Sequence, residues 1–366
     1  MNYVRLGVIV EFLDNRRIPL KGSDRALMQG NIPYYGANGQ IDSVNQYIFD
    51  EPLVLLAEDG GHFGSKTKSI SYKIEGKSWV NNHAHVLRPK ADVHVDYLHR
   101  ALSFCDISRF TTGSTRVKLT KADAEKIKIP LPDLPTQIRI ANELEKADIA
   151  IQKRRKALEL TDQYLQSAFL DMFGDPVRNE KGWEVKSVDY TTNCIVPGRD
   201  KPKSFTGDIP WITTEDLIDK GFVYKSNKHL GLNLEEIKAV RARIIPKGSV
   251  LLTCVGDLGI TSIVGNDLVV NQQLHSYQCN KSMNNFFLMY CLSFQKLFMY
   301  KMASSTTVPY MNKTICNSIP IIIPPLPLQQ QFATLVEKTE KLREKQRQSE
   351  KELDNLFQSL MQKYFG

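Results

Sequence analysis

No Cys-x-x-Cys pair occurs in this chain. Its six cysteines, Cys105, Cys194, Cys254, Cys279, Cys291 and Cys316, are scattered, which argues for free thiols in a reducing compartment and against a disulfide scaffold or zinc cluster. No apolar run approaches the roughly 18 residues that a membrane span requires. Met1 to Leu6 show no basic stretch followed by an apolar core, so a secretory signal is not expected and a cytoplasmic protein is. Catalytic signatures are missing as well. Ser71 to Ser78 lacks the first glycine of a phosphate loop. Asn31-Ile32-Pro33-Tyr34 and Asp208-Ile209-Pro210-Trp211 carry isoleucine where an amino-methyltransferase motif needs proline, and no glycine-rich cofactor loop precedes either; both read as structural turns. Pro132-Asp133 and Glu184-Val185-Lys186 have nuclease-like residue types, but a long helix separates them, too far to share a Mg²⁺. His83 and His85 have no evident third ligand and read as a surface or packed pair, so no metal is expected.

What is present is a duplication. The 366 residues exceed one ordinary core, and 42% hydrophobic with 24% charged residues is globular composition. Residues 113–174 align without a gap on 305–366 at an offset of 192, with 18 identities in 62 positions. Unrelated segments share roughly 4. The sharpest stretch is Ile129 to Gln137 against Ile321 to Gln329. Fainter echoes keep the same order upstream: Gly30 to Tyr34 with Gly207 to Trp211, Val54 to Leu56 with Val250 to Leu252, and Val80 to His85 with Val270 to His275. Each half is therefore a divergent globular part followed by a better-preserved tail.

The tails read as helices. Pro135 and Pro327 suit helix starts, and about 36 residues without Gly or Pro follow, to Gly174 and Gly366. In the first, Ile140, Leu144, Ala147, Ile151, Leu158, Leu165, Ala168 and Met172 recur at three-and-four spacing. Phe332, Val336, Thr339, Leu353, Phe357, Leu360 and Tyr364 do so in the second. Arg154, Arg343, Gln346 and Glu350 interrupt the middle of this coiled-coil stripe. Pseudo-symmetry predicts antiparallel packing. The globular parts mix β-rich runs with helical patterns, so the fold class is α+β: two globular domains separated by a pair of long antiparallel coiled-coil helices, with an internal pseudo-two-fold repeat. The expected boundaries are 1–130, 131–174, 175–322 and 323–366.

The formal net charge is +8. Residues 131–174 hold six basic and seven acidic side chains, and 325–366 hold seven and six, so the excess lies in the globular parts. A basic face there suits a polyanion. Just before each tail lies a polar, hydroxyl-rich stretch, Arg109 to Lys118 and Ala303 to Tyr310, with the groups that bind phosphates. Asn81, Asn82, Asn271, Gln272 and Gln273 supply amides able to contact adenine if placed in a major groove. The candidate DNA-binding residues are thus Asn38, Lys66, Lys68, Asn81, Asn82, Arg109, Ser114, Thr115, Arg116 and Lys118 in the first half. In the second they are Arg199, Lys201, Thr213, Thr214, Asn271, Gln272, Gln273, Ser305, Thr306, Tyr310 and Lys313.

Duplicated halves, an I-P-L-P-x-L-P-x-Q entry into a long helix and Gly113-Ser114-Thr115-Arg116 before it resemble the specificity (S) subunit of type I restriction-modification systems over the full length. The second copy departs from the motif, with Ser305-Thr306-Thr307 in place of Gly113-Ser114-Thr115. The resemblance implies that the globular parts are target recognition domains, each reading half of a bipartite DNA sequence. It implies that the helices set the gap and dock two methylation subunits along the outward faces of 137–172 and 329–364. Restriction and translocase subunits join through the complex, and S-adenosyl-methionine, ATP and Mg are bound by those partners, with no cofactor and no catalysis in this chain. The alternative is a coiled-coil scaffold that binds protein alone; it accounts for the repeat and helices but not for where the charge lies.

Overall fold

The computed structural model describes residues 2–65, 68–113, 117–198, 200–304 and 307–366. The chain divides into two compact units, one of Met1–Arg154 with Ser349–Gly366 and the other of Arg155–Gln348. Among the described residues, no helix is long and apolar enough to cross a membrane.

The first unit holds two four-stranded sheets. One runs Val10–Phe12, Ala84–Pro89, Leu53–Ala57, Ser71–Ile74 and is antiparallel throughout. The other runs Gly39–Val44, Gln29–Gly36, Lys77–Val80, Phe49–Asp50, with the central pair parallel. Leu53–Ala57 is apolar without alternation because both faces are covered. Val54 and Leu56 join the core under the helix Val95–Phe104, while Leu53 and Leu55 join the core with Phe49 and Val80. The second unit repeats this plan. Its five-stranded sheet runs Thr192–Ile195, Leu274–Cys279, Val250–Thr253, Thr261–Val264, Gly221–Val223, and a three-stranded sheet is built around Ile209–Ile212. Val250 and Leu252 again face one core and Leu251 another.

The two Pro-aromatic motifs read above as turns are strands. Tyr34 lies in Gln29–Gly36 and Trp211 in Ile209–Ile212, and both rings are buried, so the apolar ends of these motifs serve packing. In the second unit the stretch 284–301 forms two helices, Asn285–Phe294 and Lys296–Met302, that part at Gln295.

Each tail is a single helix of 40 residues, Leu134–Phe173 and Leu326–Phe365, and each contributes to both units. In the first unit Ile140 and Leu144, near the start of one helix, pack with Met361, Tyr364 and Phe365 at the end of the other. In the second unit Leu165, Phe169 and Phe173 pack with Phe332, Ala333 and Val336. The pieces therefore run antiparallel within each unit. Two of the four interrupting polar residues are buried: Arg343 is 2% exposed and ion-pairs with Asp162 and Glu340, and Thr161 donates to Gln346 at 3.5 Å.

The duplicated glutamine has the same task twice. Gln137 is fully buried; its amide donates to the carbonyls of Asp92 (3.0 Å) and Pro132 (2.9 Å), and its oxygen accepts from His94 N (2.9 Å). Gln329 donates to Ser282 (3.4 Å) and Pro324 (2.8 Å) and accepts from Asn284 N (2.9 Å). Each ties the start of a long helix to the loop before a sheet-covering helix, Val95–Phe104 in the first unit and Asn285–Phe294 in the second. Gln137→Ala leaves three part-buried backbone groups without their partner and should cost about 3 kcal/mol, read from the denaturation midpoint of the first unit. A loss below about 1 kcal/mol would contradict the role.

Candidate nucleic-acid interface

The polar stretch before the first long helix is a closed loop. Thr112 and Lys118 form an antiparallel bridge with hydrogen bonds of 2.9 and 2.8 Å, and Lys118 also bridges Asp59. In the second unit Ser304 and Tyr310 bridge in the same way, 192 residues on, and Tyr310 also bridges Val255. Of the candidates, Ser114, Thr115, Arg116, Ser305, Thr306, Lys66 and Arg199 lie outside the described residues.

Segment Glu58 to Gly60 gathers the candidates of the first unit. Asn38 donates to the Gly60 carbonyl (2.9 Å). His83 Nδ1 lies 2.6 Å from Asp59, and its backbone N–H donates to the Asn81 side-chain oxygen (2.8 Å). Asn81 is thus buried and caps its own turn, while Asn82 is exposed. Arg109 is exposed, with its guanidinium over the Phe110 ring; Lys68 is exposed on the loop before Ser71–Ile74.

The second unit repeats the backbone geometry. Asn81 N donates to Tyr35 O and Asn271 N to Ile212 O; Glu58 N donates to His83 O and Cys254 N to Gln273 O. Asn271 and Gln273 bond each other at 3.0 Å, and Gln272 donates to the carbonyls of Gly198 and Asp200 beside exposed Lys201. Thr213 is tied to Asp216 by its amide and hydroxyl, and Thr214 is half-buried. Tyr310 is 44% exposed, and exposed Lys313 opens the short helix Lys313–Asn317. In both units, loop, strand-end turn and polar side chains therefore converge.

A buried ionic network that the sequence did not disclose lies behind the first loop. Arg17 donates to Glu58 (2.7 Å) and to the Ala84 carbonyl (2.8 Å), and Lys118 Nζ lies 3.2 Å from the other Glu58 oxygen. His85, 1% exposed, contacts Asp14 (2.6 Å) with one ring nitrogen and the Leu119 carbonyl (2.9 Å) with the other. Burial pushes the Asp14 carboxyl up, but the hydrogen bond and charge of His85 and the Val86 amide hold it below the ordinary carboxylate value. Asp14, Glu58 and His85 bring ligand-type atoms within 4.8 Å of one another, whereas His83 stands apart on Asp59. The Glu58 oxygens already face Arg17 and Lys118. In the second unit Cys254 and His275 hold the corresponding places. The Cys254 thiol lies 3.9 Å from the Gln272 carbonyl, and its neighbours Cys316 and His275 hold its pKa down against burial.

With both halves showing one plan, comparison with known families decides the assignment. The family model described as the type I restriction modification DNA specificity domain matches residues 1–160 and again 183–354. The chain belongs to this family. A Haemophilus influenzae protein named as a type I restriction enzyme specificity subunit is 28% identical over 353 residues, 92% of this chain and 87% of that protein. The MjaIX specificity subunit of Methanocaldococcus jannaschii is 26% identical over 190 residues, 50% of this chain and 44% of that one. A type I S subunit structure from M. genitalium covers 100% of this chain and 96% of its own, with TM-score 0.67 at 12% identity. A chain solved in work on assembly of a type I system has TM-score 0.55 at 17% identity and covers 100% of this chain and 97% of its own. The resemblance read from the helix-entry motif and the duplication is thereby borne out, and this specificity chain has the family's two-domain, mixed helix-and-sheet architecture.

Proposed function

We propose that this chain is the sequence-reading subunit of a type I restriction-modification assembly. Globular parts 1–130 and 175–322 are its target recognition domains, each reading half of a bipartite DNA target, and the helical segments 131–174 and 323–366 set the gap. The observation that carries this is the repeated loop, bridged at Thr112 to Lys118 and at Ser304 to Tyr310, within two copies of a DNA specificity domain. Each good bidentate base contact contributes about 1–3 kcal/mol, and linkage raises the effective concentration of the second head, so neither half-site must bind tightly alone.

Methylation subunits, two of them, dock on the outward faces of 137–172 and 329–364, where Ile138, Ile149, Leu160, Tyr164, Leu342 and Leu356 are exposed apolar side chains. Restriction and translocase subunits join through that complex in the cytoplasm. S-adenosyl-methionine, ATP and Mg belong to the partners, and this chain directs their chemistry without catalysing any itself. Exchange of residues 175–322 for those of a relative, in cells supplying the methylation subunit, tests the reading. One half of the methylated sequence should change while the other half and the gap persist. Change in both halves would contradict separate reading heads.

A further inference from the structure

The network beneath the first loop points to a residue that acts on DNA without touching it. We propose that Glu58 is a positioning residue that holds the Lys118 ammonium in place for a DNA phosphate; this rests on the reading of that loop as a DNA contact. Glu58 is itself held. One oxygen takes the Arg17 guanidinium at 2.7 Å and the other takes Lys118 at 3.2 Å, with side-chain exposures of 14% for Glu58, 13% for Arg17 and 49% for Lys118. Arg17 is fixed in turn by the Ala84 carbonyl and by Asp14 at 3.6 Å. The chain from sheet to loop base is thus continuous: Asp14 and Ala84 fix Arg17, Arg17 fixes Glu58, and Glu58 fixes the half-exposed end of Lys118. The backbone bridges from Thr112 and Asp59 place the Cα of Lys118, and the carboxylate places its charge.

An ammonium has three donors. The ion pair with Glu58 takes one side of the ammonium, and its exposed side is left for phosphate oxygen. A lysine held in this way has less rotamer freedom to lose on binding than a free one. The device belongs to the first unit, because Cys254 and Tyr310 occupy the equivalent positions of the second and form no ion pair.

The test exploits a sign. Removing an anion beside DNA should strengthen binding if charge alone matters, and weaken it if the anion positions a cation. Glu58→Gln, Lys118→Gln and the double variant are compared with the parent, each in complex with the methylation subunit, on duplex carrying the mapped methylated sequence at several salt concentrations. We expect Glu58→Gln to weaken binding about tenfold and to flatten the salt slope by up to about one phosphate contact. No further loss is expected in the Lys118→Gln background. Glu58→Gln binding as well as or better than the parent, while Lys118→Gln binds worse, overturns the positioning role and leaves the DNA-contacting loop standing. An unchanged affinity and slope in Lys118→Gln overturns the loop reading and this proposal with it. If Glu58→Gln does not fold, Glu58→Asp, which keeps the charge and shortens its reach, takes its place with the same two outcomes.

Discussion

Removal of residues 349–366 is expected to unfold the unit that contains the N-terminus and to leave Arg155–Gln348 folded. The last eighteen residues of the chain complete a core built by its first 150. Met361, Tyr364 and Phe365 are at most 8% exposed there, and Phe357 and Leu360 pack at the edge. The Phe365 ring lies 5.3 Å from Tyr97 and 6.2 Å from Phe104, and the Tyr364 hydroxyl donates to Glu143 at 2.5 Å. Three such buried side chains contribute roughly 5–9 kcal/mol, against a whole-domain margin of about 5–15 kcal/mol. Hydrogen exchange on the truncated chain should show protection lost across 1–154 and kept across 155–348. Protection kept in both would show that the N-terminal unit does not depend on the far end of the chain.

The second large effect is expected at Phe169. Its fully buried ring meets Phe173, Phe287, Phe294, Tyr290 and Phe332 at centroid distances of 5.0 to 6.0 Å. Phe169→Ala removes the hub of this cluster in a close-packed region and should cost about 4 kcal/mol, including the cavity left behind. The loss should fall on the second unit: denaturant melting should split into two transitions, with the one assigned to 155–348 moved down. A single unshifted transition would contradict the cluster's role. Its counterpart, 192 residues on, is Met361, so the pseudo-symmetric site of the first unit holds a thinner, more adaptable side chain.

The long helices were legible because Gly and Pro stop and start them and nothing between Pro135 and Gly174 breaks the pattern. The stripe was legible only in part. Ile140, Leu144, Ala147 and Ile151 are buried as the spacing predicts, but Phe169 and Phe173 carry the packing where Ala168 and Met172 were expected. The reason is physical: at that end the helix turns its apolar side to the sheet-covering helix Asn285–Phe294 as well as to its partner helix, which widens the buried face beyond a two-helix seam. The candidate interface is read from composition, which reaches Lys118 and Tyr310, two exposed residues, but not the groups behind them. Asp14, Arg17, Glu58 and His85 are separated by up to 71 residues and meet only once the sheet is formed; no local spacing reports them. Likewise composition shows that Asn81 and Asn271 carry amides, but not that turn geometry engages both.

The central claim is that two reading heads in one chain address one DNA site. Its most direct test is the pattern of methylated adenines in a genomic DNA library after this chain is co-expressed with its methylation subunit. The account predicts a bipartite sequence, two short defined blocks separated by a gap of constant length and free sequence. A single contiguous block, or blocks at varying separations, would contradict it.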